Sequence, residues 1–521
     1  MTVETYERVP YSSRPFAYAS AERLAVIGAL FEVGVVPPSR ARVLEIGCAG
    51  GGNLIPRAAE HPGGTFLGID PAESHVREAQ SIAFALGLTN VEVQKRGLED
   101  LTAADGPFDY IICHGVYSWI PEALRAKLLA VCSELLADNG IAYISYNTLP
   151  GWNMRRTIRE AMQFHIEPFS EPAEQIEQAR AMVQFLVQAA PGEGGPWHQL
   201  LDETREQMQD WDDHYLFHEH LAPTNDAVYV RDFIANAEGA GLEYLGEAEI
   251  SDMMTVGLPP EVRQQIDRVS VDATHRQQYL DFLLNRAFRR SLLVKQGTAR
   301  EKVLRWPALK PLYVASRLSA QGASVSLDEG VMVEFTHTSG ASLETSSAIL
   351  KAAWSVLQSE FPRPLSFSTW VQRVAAMVEP TSQDLESYLG ENLLFAYAQG
   401  LAELWPEAIE LDGAEDARPK AFGFARLQAA AKAKWAVTRR HDCYNLDALD
   451  HHVMILCDGT RTRDAMVGIL AELARTDVVS IRHNDDSPVT DAELETVVRE
   501  LLEQRLLVLG QLGLLQAAGS L

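Results

Sequence analysis

Apolar positions along the first 150 residues form short runs that alternate with longer amphipathic stretches. The short runs predict strands at residues 41–46, 65–70, 90–94, 108–113 and 140–146. The stretches beside them predict helices at residues 21–32, 53–59, 76–86 and 121–137. Strands that alternate with helices at this spacing imply βαβ units. The pattern therefore predicts an α/β fold with a doubly wound, mostly parallel sheet.

After residue 150 the pattern becomes helical. Residues 156–211 have helical periodicity, which is interrupted by a proline- and glycine-rich loop at 191–196. A helix at 230–240 and a strand at 241–249 then suit the last unit of the same sheet. The helical stretch between them is therefore predicted to be an insertion into the first domain.

The second half of the chain has a less regular pattern. Residues 276–294 predict an amphipathic helix with a basic end, and residues 300–410 predict a small mixed domain. A polar break at 411–419 indicates a linker. Residues 420–521 predict a mostly helical unit with a β-ribbon at 478–489.

The chain is strongly acidic, with 45 Lys and Arg against 71 Asp and Glu and a net charge of −26. An acidic surface repels phosphate backbones, which argues against nucleic acid as a substrate. It suits a basic substrate such as a lysine-bearing protein. Net charge also keeps proteins soluble, and composition alone does not separate these two explanations.

The cysteines and the apolar runs exclude several other classes. None of the five cysteines belongs to a C-x-x-C pair, which argues against a disulfide framework and a structural zinc site. No apolar run reaches the roughly 18 residues that a membrane span needs. Residues 1–15 are polar and lack the pattern of a signal peptide, so we expect a cytoplasmic protein.

A glycine-rich loop at residues 47–52 stands between a predicted strand and a predicted helix. Glycines allow a sharp turn and a close approach to a ligand, and a helix start presents unpaired N–H groups. Dinucleotide enzymes share such a loop, so two acids decide the interpretation. Glu45 is poorly placed to face a pyrophosphate, and Asp70 ends the second strand, where a carboxylate accepts both ribose hydroxyls. Together they favour S-adenosylmethionine.

Segments at 43–48, 69–70 and 108–114 resemble the successive motifs of class I S-adenosylmethionine-dependent methyltransferases. Longer strings resemble a bacterial group of these enzymes with a methyltransferase regulatory domain, and they lie at 6–11, 51–56, 114–119, 145–152, 213–220, 241–248 and 279–282. The resemblance fades between about 300 and 420 and returns loosely at 456–461, which looks like the winged-helix-like module of that group. The group includes bacterial protein-lysine methyltransferases that modify outer-membrane proteins.

The resemblance implies that S-adenosylmethionine is the cofactor. The residues it implies for cofactor binding are Tyr11, Glu45, Gly47, Cys48, Ala49, Gly51, Asn53, Asp70, Glu99 and His114. Two positions depart from the pattern of the group. Ala49 stands where many relatives carry Gly, and Gly97 stands where relatives often place the Asp that meets adenine. Glu99, Asp100 or the backbone would then meet the adenine.

Candidates for the methyl-transfer site follow the fourth and fifth strands, because ligands of open α/β sheets lie beyond the strand C-termini. These candidates are His114, Tyr117, Trp119, Tyr146 and Asn147. His114 would accept a proton or a substrate hydrogen bond, and Tyr117 and Trp119 would wall a cationic group. Tyr146 and Asn147 would orient an amine. Four of them have a structural alternative: loop support for His114, core packing for Tyr117 and Trp119, and a turn cap for Asn147.

Two further groups of residues complete the set of candidates. Tyr11 and Phe16 lie in a segment too polar to be a strand, and we expect it to fold over the cofactor as a lid. Three histidines near Glu219, at His214, His218 and His220, lack a fourth ligand and a familiar zinc spacing, so no metal is expected. The adjacent His451 and His452 cannot face one point on a helix and are assigned no function.

The predicted organisation has five parts. They are an N-terminal lid at 1–20, a methyltransferase domain at 21–164 and 213–252, a helical insertion at 165–212, a regulatory or middle domain at 253–419 and a winged-helix-like domain at 420–521. The insertion would serve dimerisation or substrate contact, and a homodimer stays open. Three functions are carried forward: N-methylation of lysine in a protein, methylation of a natural-product peptide or small molecule, and non-catalytic binding of S-adenosylmethionine.

Overall fold

A seven-stranded sheet organises the first half of the chain in the computed structural model. The structure describes residues 7–9, 11, 13–192, 194–255, 257–322, 325–379, 384–411, 413–482, 487 and 489–517. The strands of this sheet are β1 Arg42–Ile46, β2 Thr65–Asp70, β3 Val91–Lys95, β4 Phe108–Cys113, β5 Leu136–Asn147, β6 Leu242–Glu247 and β7 Phe288–Lys295. They lie in the order β3-β2-β1-β4-β5-β7-β6. The predicted doubly wound α/β fold is confirmed.

The strand order places the candidate site. The chain runs outward from β1 to β3 and then returns to β4, which lies on the other side of β1. Strands β1 to β5 are parallel, and β7 is antiparallel to both β5 and β6. The loops after β1 and β4 therefore leave the sheet side by side in opposite directions. Open sheets of this kind bind ligands in the crevice at that point.

Helices cover both faces of the sheet. Those in this half of the chain are α1 Ala21–Leu30, α2 Leu54–Glu60, α3 Glu73–Ala85, α4 Glu122–Leu135, α5 Trp152–Ile166, α6 Pro172–Ala189, α7 Pro196–Asp210, α8 Asp213–Tyr215, α9 Val230–Gly239, α10 Pro260–Val269 and α11 Ala273–Leu284. Helices α1, α2 and α3 share a core with one face, and α4 and α9 share a core with the other. Neighbouring strand residues alternate between these cores, as the two-residue period of a strand requires.

Helices α5 to α7 form an insertion with a core of its own. Ile158, Met162, Val183 and Leu201 are buried together there, away from the sheet. The insertion returns to the sheet through α8 and a π-helix, Leu216–Leu221. π-Helices are rare in proteins, and those that occur often lie at functional sites. The segment Leu216–Leu221 is therefore a candidate part of the site.

The sequence predicts one helix over residues 276–294, and this prediction is wrong for the second half. Helix α11 ends where Asn285 takes the left-handed backbone conformation, with φ of 48°. The chain then forms β7, which inserts between β5 and β6. The two basic residues Arg289 and Arg290 suggested a helix end, but they lie in this strand. The sheet thus includes a strand that lies beyond residue 252, the predicted end of the methyltransferase domain. The other domain boundaries stay predictions.

The second half packs against the sheet domain. Its helices are α12 Ala348–Glu360, α13 Phe367–Ala375, α14 Leu385–Ala398, α15 Gly423–Ala430, α16 Ala448–Leu456, α17 Arg463–Arg475 and α18 Leu494–Gln511. Its strands are β8 Tyr313–Ala315, β9 Ser319–Ala320, β10 Val333–Thr336, β11 Ser342–Thr345, β12 Leu365–Ser366, β13 Glu403–Trp405, β14 Lys420–Ala421, β15 Trp435–Val437, β16 Cys443–Asn445 and β17 Leu515–Gln516. The ribbon predicted at 478–489 falls partly outside the described residues. No helix among the described residues is long and apolar enough to cross a membrane.

Arg289 ties β7 to its surroundings. Its side chain is fully buried, and its guanidinium donates to Asp281 of α11 at 2.8 and 2.9 Å and to Glu247 of β6 at 2.6 Å. Removing one partner of a buried ion pair leaves an uncompensated charge in the protein interior. Arg289 therefore holds the antiparallel edge of the sheet against α11.

We expect Arg289→Met to lower the free energy of unfolding by about 3–5 kcal/mol, because Glu247 and Asp281 would stay buried without the arginine that bonds to both. Urea denaturation followed by circular dichroism measures this loss. The control is Arg231→Met, which removes an exposed pair with Asp232 and should cost about 1 kcal/mol or less. Equal losses in the two variants would contradict a stabilising role for the Arg289 cluster.

Candidate functional site

The loop after β1 has the geometry of a ligand-binding turn. Three of its residues take positive φ: Gly47 at 75°, Ala49 at 45° and Gly51 at 78°. A side chain at Gly51 would collide with Ile55, since an added Cβ would lie 2.5 Å from its Cδ1 atom. Ala49 keeps its Cβ in the left-handed region, at a cost of about 1–2 kcal/mol. The loop accepts this strain and holds its N–H groups at the start of α2.

Asp70, at the end of β2, braces this loop. Its Oδ2 atom accepts the backbone N–H of Ala49 at 3.0 Å, and its Oδ1 atom accepts that of Ala72 at 2.9 Å. The Nδ1 atom of the buried His75 lies 3.3 Å from Oδ1. A carboxylate oxygen accepts more than one hydrogen bond, so Asp70 keeps capacity for two ligand hydroxyls. The ribose role of Asp70 stays a prediction.

Glu45, at the end of β1, is buried beside the same loop. Its Oε1 atom accepts the side-chain amide of Asn53 at 3.2 Å, while Oε2 has no hydrogen-bond partner among the described residues. The pKa of Glu45 is raised to about 8, because burial and, to a smaller extent, the nearby Asp70 outweigh the lowering effect of the Asn53 hydrogen bond. An unpartnered buried carboxylate oxygen fits the ammonium group of a methionine-derived cofactor.

The N-terminal segment lies over the loop. The hydroxyl of Ser13 accepts the backbone N–H of Gly52 at 2.7 Å, and an added Cβ at Gly52 would lie 2.6 Å from the Ser13 carbonyl oxygen. The backbone N–H of Phe16 donates to the Oδ1 atom of Asn53 at 2.9 Å. The backbone N–H of Tyr11 donates to the Nε2 atom of His75 at 3.1 Å. Hydrogen bonds thus fasten this segment to the helix starts of the site.

The ring of Phe16 stacks on His114, which follows β4, with 3.8 Å between ring centroids. On its other side His114 has a hydrogen bond of 2.8 Å between Nδ1 and the hydroxyl of Tyr143. Burial lowers the pKa of His114 to about 3, and the cation of Arg290 acts in the same direction. His114 is therefore neutral at physiological pH, under the predicted lid.

The π-helix closes the other side of the site. Tyr11 makes edge contacts with His214 and His218, with 5.8 Å between centroids in both pairs. The indole N–H of Trp119 donates to the backbone carbonyl of His218 at 3.3 Å. Burial raises the pKa of Glu219, in the same turn, to about 7. An acid and three aromatic or imidazole side chains thus lie beside the end of the lid.

Asn147 supports the π-helix from the end of β5. Its side-chain amide donates to the Oδ1 atom of Asn225 at 2.6 Å, and Asn225 donates to the backbone carbonyl of Glu219 at 2.8 Å. The backbone N–H of Asn147 donates to the hydroxyl of Ser118 at 2.8 Å. Asn147 is 1% exposed, and its side chain supports a turn through Asn225, which is close to the turn-cap alternative.

The structure does not bring Tyr117 and Tyr146 to His114. Both rings pack against Phe233 of α9, in the core on the opposite face from Tyr143, and both are fully buried. The Tyr146 hydroxyl pairs with Ser291 at 3.0 Å. The structure therefore assigns Tyr117 and Tyr146 to core packing, and we withdraw Tyr117 as a wall for a cationic group and Tyr146 as a residue that orients an amine. An aromatic residue near a strand end can face either side of the sheet, and the sequence did not decide which.

The remaining predicted residues lie at the edges of the site. Cys48 is buried beneath the loop against β2. Glu99 is exposed beside Gly97, and the Oδ2 atom of Asp100 accepts the backbone N–H of Gly97 at 2.8 Å. Asp100 is thereby engaged in its own turn. Glu99 and the local backbone stay the candidates for the adenine contact.

Ser13, His75 and Glu219 are site residues that sequence reasoning missed or set aside. Ser13 and His75 have no motif of their own and act through backbone groups far away in the chain. Glu219 was considered only as a metal ligand. Among the described residues no group of three or more His, Cys, Asp or Glu side chains is placed to hold a metal ion.

Three segments of the chain match described families. Residues 44–142 match "Methyltransferase domain", residues 212–295 match "Predicted methyltransferase regulatory domain" and residues 417–514 match "PKMT, C-terminal winged helix domain". Together with the sheet and its loop, these matches define a class I S-adenosylmethionine-dependent methyltransferase.

Relatives extend the similarity over almost the whole chain. An uncharacterised protein of Rickettsia prowazekii (strain Madrid E) is 29% identical over 510 residues, 96% of this chain and 92% of that protein. A second uncharacterised protein of this organism is 36% identical over 234 residues, 45% of this chain and 94% of that protein. The structure of PKMT2 from Rickettsia typhi in complex with AdoHcy is similar, with a TM-score of 0.87 and 28% identity, and covers 97% of this chain and 100% of that one. The chain belongs to the family of class I methyltransferases with a regulatory domain and a PKMT winged helix domain.

We expect Asp70→Ala to weaken binding of S-adenosylhomocysteine by roughly 100-fold or more, because two charge-assisted hydrogen bonds to the ribose would be lost. Isothermal titration calorimetry measures the affinity. Asp109→Ala is the matched control, since Asp109 also accepts a backbone N–H, from Arg42 at 2.8 Å, but near the N-terminal ends of the strands, whereas Asp70 lies at a C-terminal end. Wild-type affinity in Asp70→Ala would remove Asp70 from the cofactor site.

Cofactor binding should release about one proton at pH 7, since Glu45 is mostly protonated below its pKa of about 8 and a cation lowers that pKa. The affinity should accordingly rise with pH and level off near pH 8. Calorimetry in two buffers of different ionisation enthalpy counts the protons. Glu45→Gln should abolish the release, whereas Glu78→Gln, which alters a carboxylate beside Gly50, should keep it. Release that survives in Glu45→Gln would assign the proton to another group.

Proposed function

We propose that this methyltransferase N-methylates lysine side chains of a protein substrate. PKMT abbreviates protein-lysine methyltransferase, and the similarity to PKMT2 extends over 97% of this chain, including the C-terminal winged helix domain. That full-length similarity is the observation that carries the proposal. The ubiquinone biosynthesis O-methyltransferases among the relatives match only about a fifth to a quarter of the chain. The sequence similarity to these O-methyltransferases is thus confined to a small part of the chain.

In this proposal four residues hold the cofactor. Asp70 accepts the ribose hydroxyls, Glu45 accepts the ammonium group and Asn53 orients Glu45. Phe16 closes the site from the N-terminal side and covers His114. S-Adenosylmethionine, when bound, supplies a methyl group made electrophilic by its sulfonium. The protein then has to align the acceptor and exclude water, which is an orientation effect.

Glu219 is the group that we propose for the acceptor lysine. It is partly exposed on the π-helix, near enough to Tyr11 and Tyr215 to raise the pKa of both hydroxyls. A carboxylate among aromatic rings attracts an ammonium group. Since the pKa of Glu219 is raised to about 7, its carboxylate is able to take the proton that the amine must lose before it attacks.

His114 has a different part in this proposal. Its ring is neutral, is stacked under Phe16 and is fixed by the hydroxyl of Tyr143. A neutral imidazole avoids repulsion of the sulfonium and of an incoming ammonium group. We therefore place His114 as an uncharged wall and hydrogen-bonding group of the transfer site. The net charge of −26 also favours a basic polypeptide over an acidic one.

Several finer predictions accompany the proposal. A cytoplasmic location, exclusion of nucleic acid and a homodimer stay predictions, and so do the five domain boundaries. The alternative of a natural-product peptide or small molecule differs from lysine methylation in the acceptor. A test of the acceptor therefore separates the two.

The direct test is incubation with S-adenosylmethionine and lysine-rich fragments of outer-membrane proteins, followed by mass spectrometry that locates the methyl groups. We expect methylated lysine side chains. Modification of another side chain, or only of small molecules, would contradict the proposal.

Glu219→Gln should lower kcat/KM for the polypeptide by roughly 100-fold, because general-base action and pairing with the ammonium are both lost. Its affinity for S-adenosylhomocysteine should stay close to wild type. The control is Glu203→Gln, an exposed carboxylate on α7 of the same insertion. An unchanged kcat/KM in Glu219→Gln would make Glu219 structural.

A further inference from the structure

The tip of a hairpin in the C-terminal winged helix module packs against the sheet domain. Strands β15 and β16 pair from Trp435↔Asn445 to Val437↔Cys443, and residues 438–442, here called the wing tip, join them. Hairpin tips usually face solvent. In this tip Thr438, Arg439, Arg440 and His441 are only 2–7% exposed. The wing tip is therefore a contact surface within the chain.

Two of the tip residues anchor it to different partners. Arg439 pairs bidentately with Glu60 at the end of α2, at 2.7 and 2.9 Å, and its carbonyl accepts Arg57 at 3.2 Å. Arg440 points the other way, to Glu403 of β13 and the carbonyl of Pro362. These contacts hold the tip between the methyltransferase sheet and the middle part of the chain.

His441 continues from the tip into the cofactor-binding loop. Its Nε2 atom lies 2.8 Å from the Oδ1 atom of Asn53, the residue that precedes α2. The backbone N–H of Phe16 donates to that same oxygen. A side-chain amide oxygen only accepts, so His441 must carry its proton on Nε2. Its backbone has φ of 65°, a left-handed conformation that is uncommon for histidine.

The two donors decide which way the Asn53 amide faces. With Oδ1 held by Phe16 and His441, the NH₂ group faces Glu45 and donates to its Oε1 atom. A flipped amide would place oxygen against the Glu45 carboxyl and NH₂ against two donors. His441 therefore fixes the position of Glu45 without contacting it.

We propose that His441 of the winged helix module is a positioning residue for cofactor binding, acting through Asn53 on Glu45. The cofactor site would then be completed by a residue that lies 388 positions after Asn53 in the chain. This role concerns the cofactor only and holds for any methyl acceptor. The module would accordingly serve catalysis directly, in addition to any contact with a substrate.

The experiment measures binding of S-adenosylhomocysteine to the full chain by calorimetry, together with thermal unfolding of each variant. We expect His441→Phe to weaken binding by about tenfold, the effect of one buried hydrogen bond. His441→Gln, whose amide places an N–H donor near the position of Nε2, should restore most of the affinity. Proton release on binding should fall in His441→Phe, because Glu45 is then no longer held in place.

Arg440→Met is the matched control within the wing tip. It removes the ion pair with Glu403 and should lower the unfolding temperature, while the affinity of the folded protein stays within about twofold of wild type. Two results would overturn the proposal. One is wild-type affinity in a folded His441→Phe. The other is an equal loss of affinity in Arg440→Met, which would show that the tip acts through stability alone.

Discussion

The hydrogen bonds of the Asn53 side chain are the interaction on which the rest of the site depends. This one amide joins the end of β1 through Glu45, the N-terminal segment through Phe16 and the winged helix module through His441. Asn53 is 3% exposed, so no water competes freely for these bonds. Because these bonds decide which way the Asn53 amide faces, they specify one arrangement of Glu45, whose Oε2 atom has no partner among the described residues. It also makes the loop, the lid and the C-terminal module parts of a single site.

Ion pairs with arginine give the interfaces between these parts a fixed geometry. Arg57 pairs with Glu22 at 2.6 Å, Arg439 with Glu60 at 2.7 Å and Arg440 with Glu403, and each arginine side chain is at most 6% exposed. Such pairs add little net stability compared with apolar packing, but they tolerate few alternative arrangements. They also withdraw cations from the surface. Each pair also withdraws a carboxylate with its arginine, so the net charge of −26 is carried by the rest of the chain.

The sequence predicted those features that depend on neighbouring residues. The alternation of strands and helices, the glycine loop and the acids at the ends of β1 and β2 are local patterns, and the cofactor followed from them and from the family resemblance. Strand β7 was missed because Arg289 and Arg290 are unusual in a buried strand. Their charges are paired by Asp281 of α11 and by Glu247 and Asp252, which lie about 40 positions away in the chain. Tyr146 was assigned to the wrong face of the sheet. Ser13, His75 and His441 carry no local signal, since their roles arise only when remote segments meet.

The contacts that hold the N-terminal segment over the loop have a consequence for the exchange of cofactor between turnovers. Besides its bonds to the loop, the segment is held at Arg14, which pairs with Asp212 of the insertion at 3.0 Å and lies over Trp435 of β15. Exchange of spent cofactor for fresh requires these contacts to open, as in other enzymes with closing segments. Under the proposed function, a polypeptide with several acceptor lysines would meet an enzyme whose N-terminal segment opens between transfers. Since Arg14 and Asp212 are both about half exposed, salt would weaken their pair, and the opening of the segment would then depend on ionic strength.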